Sequence, residues 1–209
     1  MAMHGFYFIT DSELSRAGNM SDTMNAVKAG AKIVQYRLKN ASSASLYAEA
    51  LQIKRLCENV TYIINDRIDI ALAVNADGVH IGRDDLPIHV VRRLLGPGKI
   101  IGVTVRNLEE ALHAQANGAN YLGVGPIFST MTKPDAGSAT GIALLRDVRK
   151  SCRLPLAAIG GLTLNNAKEV ILSGADMVCS ISSIVAAADV YEAVKAFEQL
   201  YTTYKSKEA

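Results

Sequence analysis

In the stretch AKIVQYRLKN (31–40), Gln35, Arg37 and Lys39 recur at every second position between Val34, Tyr36 and Leu38. Side chains two apart on a strand point the same way, so one face of this strand carries an amide and two cations. Burying cations without partners is costly, so an anion should meet them. An internal salt bridge to a carboxylate on a neighbouring strand is the alternative. Carboxylates follow at two later strand ends. YIINDRID sets Asn65 and Asp66 just before a helix, and GVHIGRDDLP sets Asp84 and Asp85 before Pro87. Such residues also cap helices. Three carboxylates beside a cationic strand nevertheless suit Mg²⁺, which takes one or two carboxylates together with substrate phosphates.

The run GVGPIFSTMTKPDAG (123–137) exceeds the roughly two to six residues usual for a strand-to-helix loop. It gathers Ser129, Thr130, Thr132 and Lys133, hydroxyls and a cation suited to phosphate oxygens; a solvated surface loop is the plain alternative. Further on stand AIGGLT and CSISSI. In the first, Gly160 and Gly161 let backbone N–H groups come close to an anion. Two anion sites are therefore expected: a pyrophosphate-sized one near the second to sixth strands, and a monophosphate one at the seventh and eighth.

The elements that must position these groups alternate. Runs at 5–10, 32–36, 61–65, 77–81, 100–104, 120–124, 155–159 and 177–181 read as strands, with helical segments between them. Eight such units without a long linker predict a single (β/α)₈ TIM barrel domain over residues 1–209, with its active site at the C-terminal mouth of the strands. A doubly wound open sheet is the second choice, and no G-x-G-x-x-G follows the first strand to support it. Four helix-to-strand joints look alike, KAGAKIV, VNADGVH, ANGANYL and LSGADMV, and three of them carry Gly just after the helix.

A formal net charge of +2 over 209 residues gives no reason to expect nucleic acid or membrane as partner. Cys57, Cys152 and Cys179 are scattered and lack ligand spacing, as expected of buried thiols in a reducing, cytoplasmic setting. His89 and His113 read as exposed on helices, and Arg92–Arg93 as an exposed helix face. His80 lies within a strand with no partner visible in the sequence. A homo-oligomer is compatible with the sequence, which leaves the oligomeric state open.

Taken in order, FITD, VQYRLKN, IINDRIDIALAVNADGVHIGRDDLP, GVGPIFSTMTKPDAG, AIGGLT and SISSI span nearly the whole chain. Together they resemble the thiamin phosphate synthase family, within the thiamin phosphate synthase and thiazole tautomerase superfamily. The resemblance implies a Mg²⁺-assisted transferase. It would join 4-amino-5-hydroxymethyl-2-methylpyrimidine diphosphate to 4-methyl-5-(2-phosphoethyl)thiazole by a dissociative mechanism, releasing pyrophosphate. By motif, Gln35, Arg37 and Lys39 surround pyrimidine and diphosphate, and Asn65 joins them. Asp66 and Asp85 match the metal carboxylates, while Thr130, Thr132 and Lys133 match the sixth-strand loop. Gly161, Ile181 and Ser182 match backbone positions holding the thiazole phosphate. Thr104 stands where Ser is usual and keeps a hydroxyl for the diphosphate. Arg106 stands where many members have His, the residue that the tautomerase relatives use as proton shuttle. A tautomerase and a non-enzymatic phosphate binder are the other functions weighed.

Overall fold

The computed structural model describes residues 3–132 and 136–205. Among them, eight parallel strands close on themselves in chain order. They are β1 (Gly5–Ile9), β2 (Ile33–Tyr36), β3 (Thr61–Asn65), β4 (Gly78–Ile81), β5 (Ile100–Val105), β6 (Tyr121–Val124), β7 (Leu156–Ala158) and β8 (Met177–Val178). Helices cover the outside: α1 (Asn19–Lys28), α2 (Ser43–Leu56), α3 (Ile68–Ala73), α4 (Ile88–Leu95), α5 (Leu108–Ala116), α6 (Gly141–Ser151), α7 (Leu164–Leu172), the short α8 (Ser182–Val185) and α9 (Val190–Lys205). This is the TIM barrel expected from the alternation of runs. None of the described helices is long and apolar enough to cross a membrane.

Strand alternation splits the interior into two cores. Phe6, Phe8, Val34, Tyr36, Tyr62 and Ile64 pack outward against the helices. Tyr7, Ile9, Ile33, Ile63, Tyr121 and Met177 fill the barrel itself. Val34 and Tyr36 thus take the helix side, with Leu38 packed against the same core.

All four helix-to-strand joints are the same device. Gly30, Asn75, Gly118 and Gly174 sit at positive φ just past their helices. The N–H of the following alanine returns to the helix each time: Ala31 to Ala26, Ala76 to Ala71, Ala119 to Ala114 and Ala175 to Val170, at 2.9–3.4 Å. This is the Schellman closure. At the joint without glycine Asn supplies the left-handed residue, which its short polar side chain tolerates.

The residue entering each later even strand ties the floor together. Asp77 accepts the Tyr62 N–H at 2.7 Å, Asn120 the Ile101 N–H at 2.9 Å, and Asp176 the Leu156 N–H at 2.9 Å. A cation from α2, α4 or α6 grips the same side chain: Lys54 on Asp77, Arg92 on Asn120, Arg149 on Asp176. Arg92 is therefore no exposed helix face. It also donates to the carbonyls of Gly96, Lys99 and Gly118, and only Arg93 of the pair is exposed. Helical spacing alone cannot tell a solvated arginine from one that reaches past its helix end. Arg92→Ala should cost about 2 kcal/mol in urea unfolding, since several charge-assisted bonds end on carbonyls that then lose their donor. Turnover should be unchanged, because this floor lies opposite the mouth. Arg93→Ala should be silent in both measurements.

Candidate active site

At the C-terminal ends of the strands the barrel opens into a cleft of roughly 1060 Å³, counting its open entrance. Eleven of the residues expected there line it. Gln35, Arg37 and Lys39 come from β2 and its exit, Asn65 and Asp66 from β3, and Thr104 from β5. Thr130 and Thr132 come from the loop after β6, Gly161 from the loop after β7, and Ile181 and Ser182 from the exit of β8. Lys133 lies outside the described residues.

The β2 cations are paired within the protein. Arg37 Nη1 lies 2.6 Å from Asp11 Oδ2, with side chains only 14% and 6% exposed. Asp11 is held by the N–H groups of Glu13 and Leu14, both at 3.2 Å on Oδ1. The salt-bridge alternative is thus real, but it occupies one of the five donors of a guanidinium that still faces the cleft. Lys39 Nζ lies 2.6 Å from Asp66 Oδ2 in a more open setting.

Neither carboxylate of the expected metal pair is a helix cap. Arg67 occupies the N-cap position of α3 and Pro87 that of α4, each without a side-chain cap bond. Asp66 adopts φ 59, a left-handed conformation of the kind that concentrates at functional sites. Its N–H is fixed by the His80 carbonyl at 2.8 Å. Asp85 Oδ2 accepts the Gly82 N–H at 2.7 Å, and its carboxyl lies close enough to that of Asp66 for the two charges to act on each other. Burial pushes the Asp66 carboxyl up, but the Lys39 ammonium, with smaller help from Asp85 and His80, leaves the group below the usual carboxylate range. Burial raises Asp85; the Gly82 N–H opposes this, and the charge of Asp66 adds to it. Asp66 lines the cleft and Asp85 does not. Asp84 does not join them: its side chain is 88% exposed and pairs with Arg83 at 3.8 Å. The third carboxylate expected at these strand ends is therefore absent from the site.

The loop after β6 is anchored at its stem. Ile127 N donates to Ile159 O at 2.9 Å, Phe128 N to Gly160 O at 3.0 Å, and Thr140 N to Pro126 O at 2.8 Å. This explains the Gly160–Gly161 pair as much as any anion does. A Cβ on Gly160 would lie 2.5 Å from Pro126 Cβ, and one on Gly161 would lie 2.5 Å from Ser129 O. Arg106 also lines the cleft, and its Nη1 would sit 3.3 Å from a Cβ on Gly137.

Four participants were not assigned from the sequence. Tyr7 and Tyr121 meet inside the barrel through their hydroxyls at 2.7 Å, and Asp11 holds Arg37. His80, without a visible partner in the sequence, has both ring nitrogens engaged, Nδ1 by Tyr121 and Nε2 by Thr104, each at 2.8 Å. A signal existed for the tyrosines. They fall on inward strand positions, where a barrel interior ordinarily takes branched aliphatic residues.

Residues 6–184 match the family described as thiamine monophosphate synthase. A thiamine-phosphate synthase of Methanosarcina mazei is 48% identical over 193 residues, covering 92% of this chain and 80% of that protein. One of Chloroflexus aurantiacus is 45% identical over 96% of this chain and 94% of its own length. A solved thiamine phosphate pyrophosphorylase of Pyrococcus furiosus superimposes with a TM-score of 0.90 at 36% identity, covering 97% of both chains. With a family match over most of its length and relatives this similar across nearly all of it, the chain belongs to the thiamine monophosphate synthase family.

Proposed function

We propose that this cleft joins 4-amino-5-hydroxymethyl-2-methylpyrimidine diphosphate to 4-methyl-5-(2-phosphoethyl)thiazole, forming thiamin phosphate and pyrophosphate. The observation that carries the reading is the charged corner where β2, β3 and β4 end. There Arg37, Lys39 and Asp66 line the cleft, Lys39 lies 2.6 Å from Asp66, and Asp85 neighbours Asp66. The donor set fits Mg²⁺: two neighbouring carboxylates, with no group of three metal-binding side chains among the described residues, leave coordination to be completed by phosphate oxygens and water. Mg²⁺, when bound, supplies charge neutralisation for the departing diphosphate.

The residues of the chain do the rest. Gln35 and Asn65 hold the pyrimidine. Arg37, Lys39 and Lys133 offset negative charge as the C–O bond to diphosphate breaks, with the hydroxyls of Thr104, Thr130 and Thr132 donating to its oxygens. The aminopyrimidine stabilises the resulting methylene cation, which the thiazole nitrogen then captures to make the new C–N bond. Backbone N–H groups at Gly161, Ile181 and Ser182 hold the thiazole phosphate so that this nitrogen is in line. Such a route asks for no protein nucleophile, in keeping with a thiol in the cleft wall, Cys179, whose pKa is pushed up by burial. The barrel acts as one domain, and its buried, unpaired thiols support a reducing, cytoplasmic setting. Incubation with both substrates and Mg²⁺, followed by oxidation to fluorescent thiochrome, tests the reading. Thiamin phosphate should appear with an equal amount of pyrophosphate, and no thiamin phosphate from the two substrates would refute it.

A further inference from the structure

Beneath the mouth, five polar side chains from five strands touch in a line. Gln35 Nε2 donates to the Tyr7 hydroxyl at 2.7 Å, and that hydroxyl lies 2.7 Å from the Tyr121 hydroxyl. Tyr121 lies 2.8 Å from His80 Nδ1, and His80 Nε2 lies 2.8 Å from Thr104 Oγ1. Gln35, Tyr7 and Tyr121 are all but fully buried. Inward glycines make room for the line. A Cβ on Gly102 would fall 2.0 Å from the Tyr121 ring, and one on Gly123 would fall 2.9 Å from His80 Cε1. Glycine within a strand is expected where another group must approach this closely.

Each hydroxyl has one proton to give. If Gln35 gives the first bond, Tyr7 donates to Tyr121 and Tyr121 to His80 Nδ1. His80 is then neutral with its proton on Nε2, donates to Thr104, and leaves the Thr104 proton for the cleft. A change of direction partway strands a buried proton without an acceptor or sets two protons against each other. Full reversal is self-consistent, so the two ends decide. Run forward, Gln35 turns its carbonyl oxygen to the cleft, an acceptor for an exocyclic amine, while Thr104 offers a donor to a diphosphate oxygen. Reversed, the amide N–H₂ would face that amine and a hydroxyl lone pair would face the anion.

We infer that Gln35, Tyr7, Tyr121, His80 and Thr104 form a one-way hydrogen-bond relay that presents an acceptor to the aminopyrimidine and a donor to its diphosphate. Tyr7, Tyr121 and His80 are its positioning residues. The inference rests on the substrate proposed above, because the substrate's polarity selects the direction. Bonds in such a chain polarise one another, so occupancy of one end strengthens the other.

Long-range ¹H–¹⁵N correlation on the labelled full chain tests the relay without any turnover. The chain has four histidines, and His80 is assigned by the signal lost in His80→Gln. Near neutral pH it should be the Nε2–H tautomer; an Nδ1–H tautomer or an imidazolium overturns the relay whatever the activity. Tyr121→Phe should shift His80 toward a mixture of tautomers and lower kcat about tenfold, the scale of one lost buried hydrogen bond. In a Thr104→Val background the same change should cost little more, because both act through one hydroxyl. Independent, multiplying losses overturn the coupling. Tyr7→Phe interrogates the same line should Tyr121→Phe fold poorly, and should likewise cost little in the Thr104→Val background. Full turnover in Thr104→Val with the Nε2–H tautomer intact would instead overturn the substrate assignment, and with it the relay's role.

Discussion

Asp66→Asn and Asp85→Asn are expected to lose turnover by roughly 10²–10³-fold each, the scale seen when one preorganised electrostatic contact to a developing charge is removed. Asparagine is the informative replacement. Asp66 holds φ 59, which alanine resists and asparagine tolerates. At position 85 an amide oxygen can still accept the Gly82 N–H now bound at 2.7 Å. Each variant therefore changes charge with little change of shape. Melting temperature should be held or raised for Asp85→Asn, because burial and the charge of Asp66 already work against its ionised form. A melting temperature lowered by many degrees with the single-turnover rate intact would make the pair structural. Full activity of either variant at limiting Mg²⁺ would remove it from the metal site.

Arg37→Ala should lower the single-turnover rate by at least ~10²-fold, and it should also destabilise the protein. Its partner Asp11 is buried, with a side chain 6% exposed, and stripping the cation from a buried pair is costly. The two losses are separable. Asp11→Asn in the Arg37→Ala background removes the stranded charge and should recover most of the melting temperature while the rate stays low. Recovery of the rate along with the stability would reduce Arg37 to an internal brace.

Which parts of this were legible in the sequence follows from what period and spacing can report. The inward face of β2 could be read because alternation is local, and Gln35, Arg37 and Lys39 do line the cleft. The four joints could be read because a left-handed residue demands Gly or Asn, and Asn75 takes the place of glycine in the second. Partners across the barrel could not. Tyr7 on β1 and Tyr121 on β6 share no strand pairing, so no register rule brings their hydroxyls together. Only closure of the barrel does so. Asp11 was hidden for a related reason: its tie to Arg37 depends on the turn after β1, where Asp11 also accepts from Glu13 and Leu14. Asp84 and Asp85 are indistinguishable as letters, and the loop's path alone sends one into solvent and the other to Asp66. Arg92 reached the floor because its length exceeds what helical spacing describes.

The central claim is that the corner formed by Arg37, Lys39, Asp66 and Asp85 receives a diphosphate together with a divalent cation. Isothermal titration of inorganic pyrophosphate, with MgCl₂ and with chelator, tests it most directly and needs no turnover. Wild-type protein should bind pyrophosphate with Mg²⁺ and lose most of that affinity with chelator. Asp66→Asn should lose the Mg²⁺ dependence, and Arg37→Ala/Asp11→Asn should bind weakly in both conditions. Equal affinity in all three proteins, indifferent to Mg²⁺, would contradict the claim.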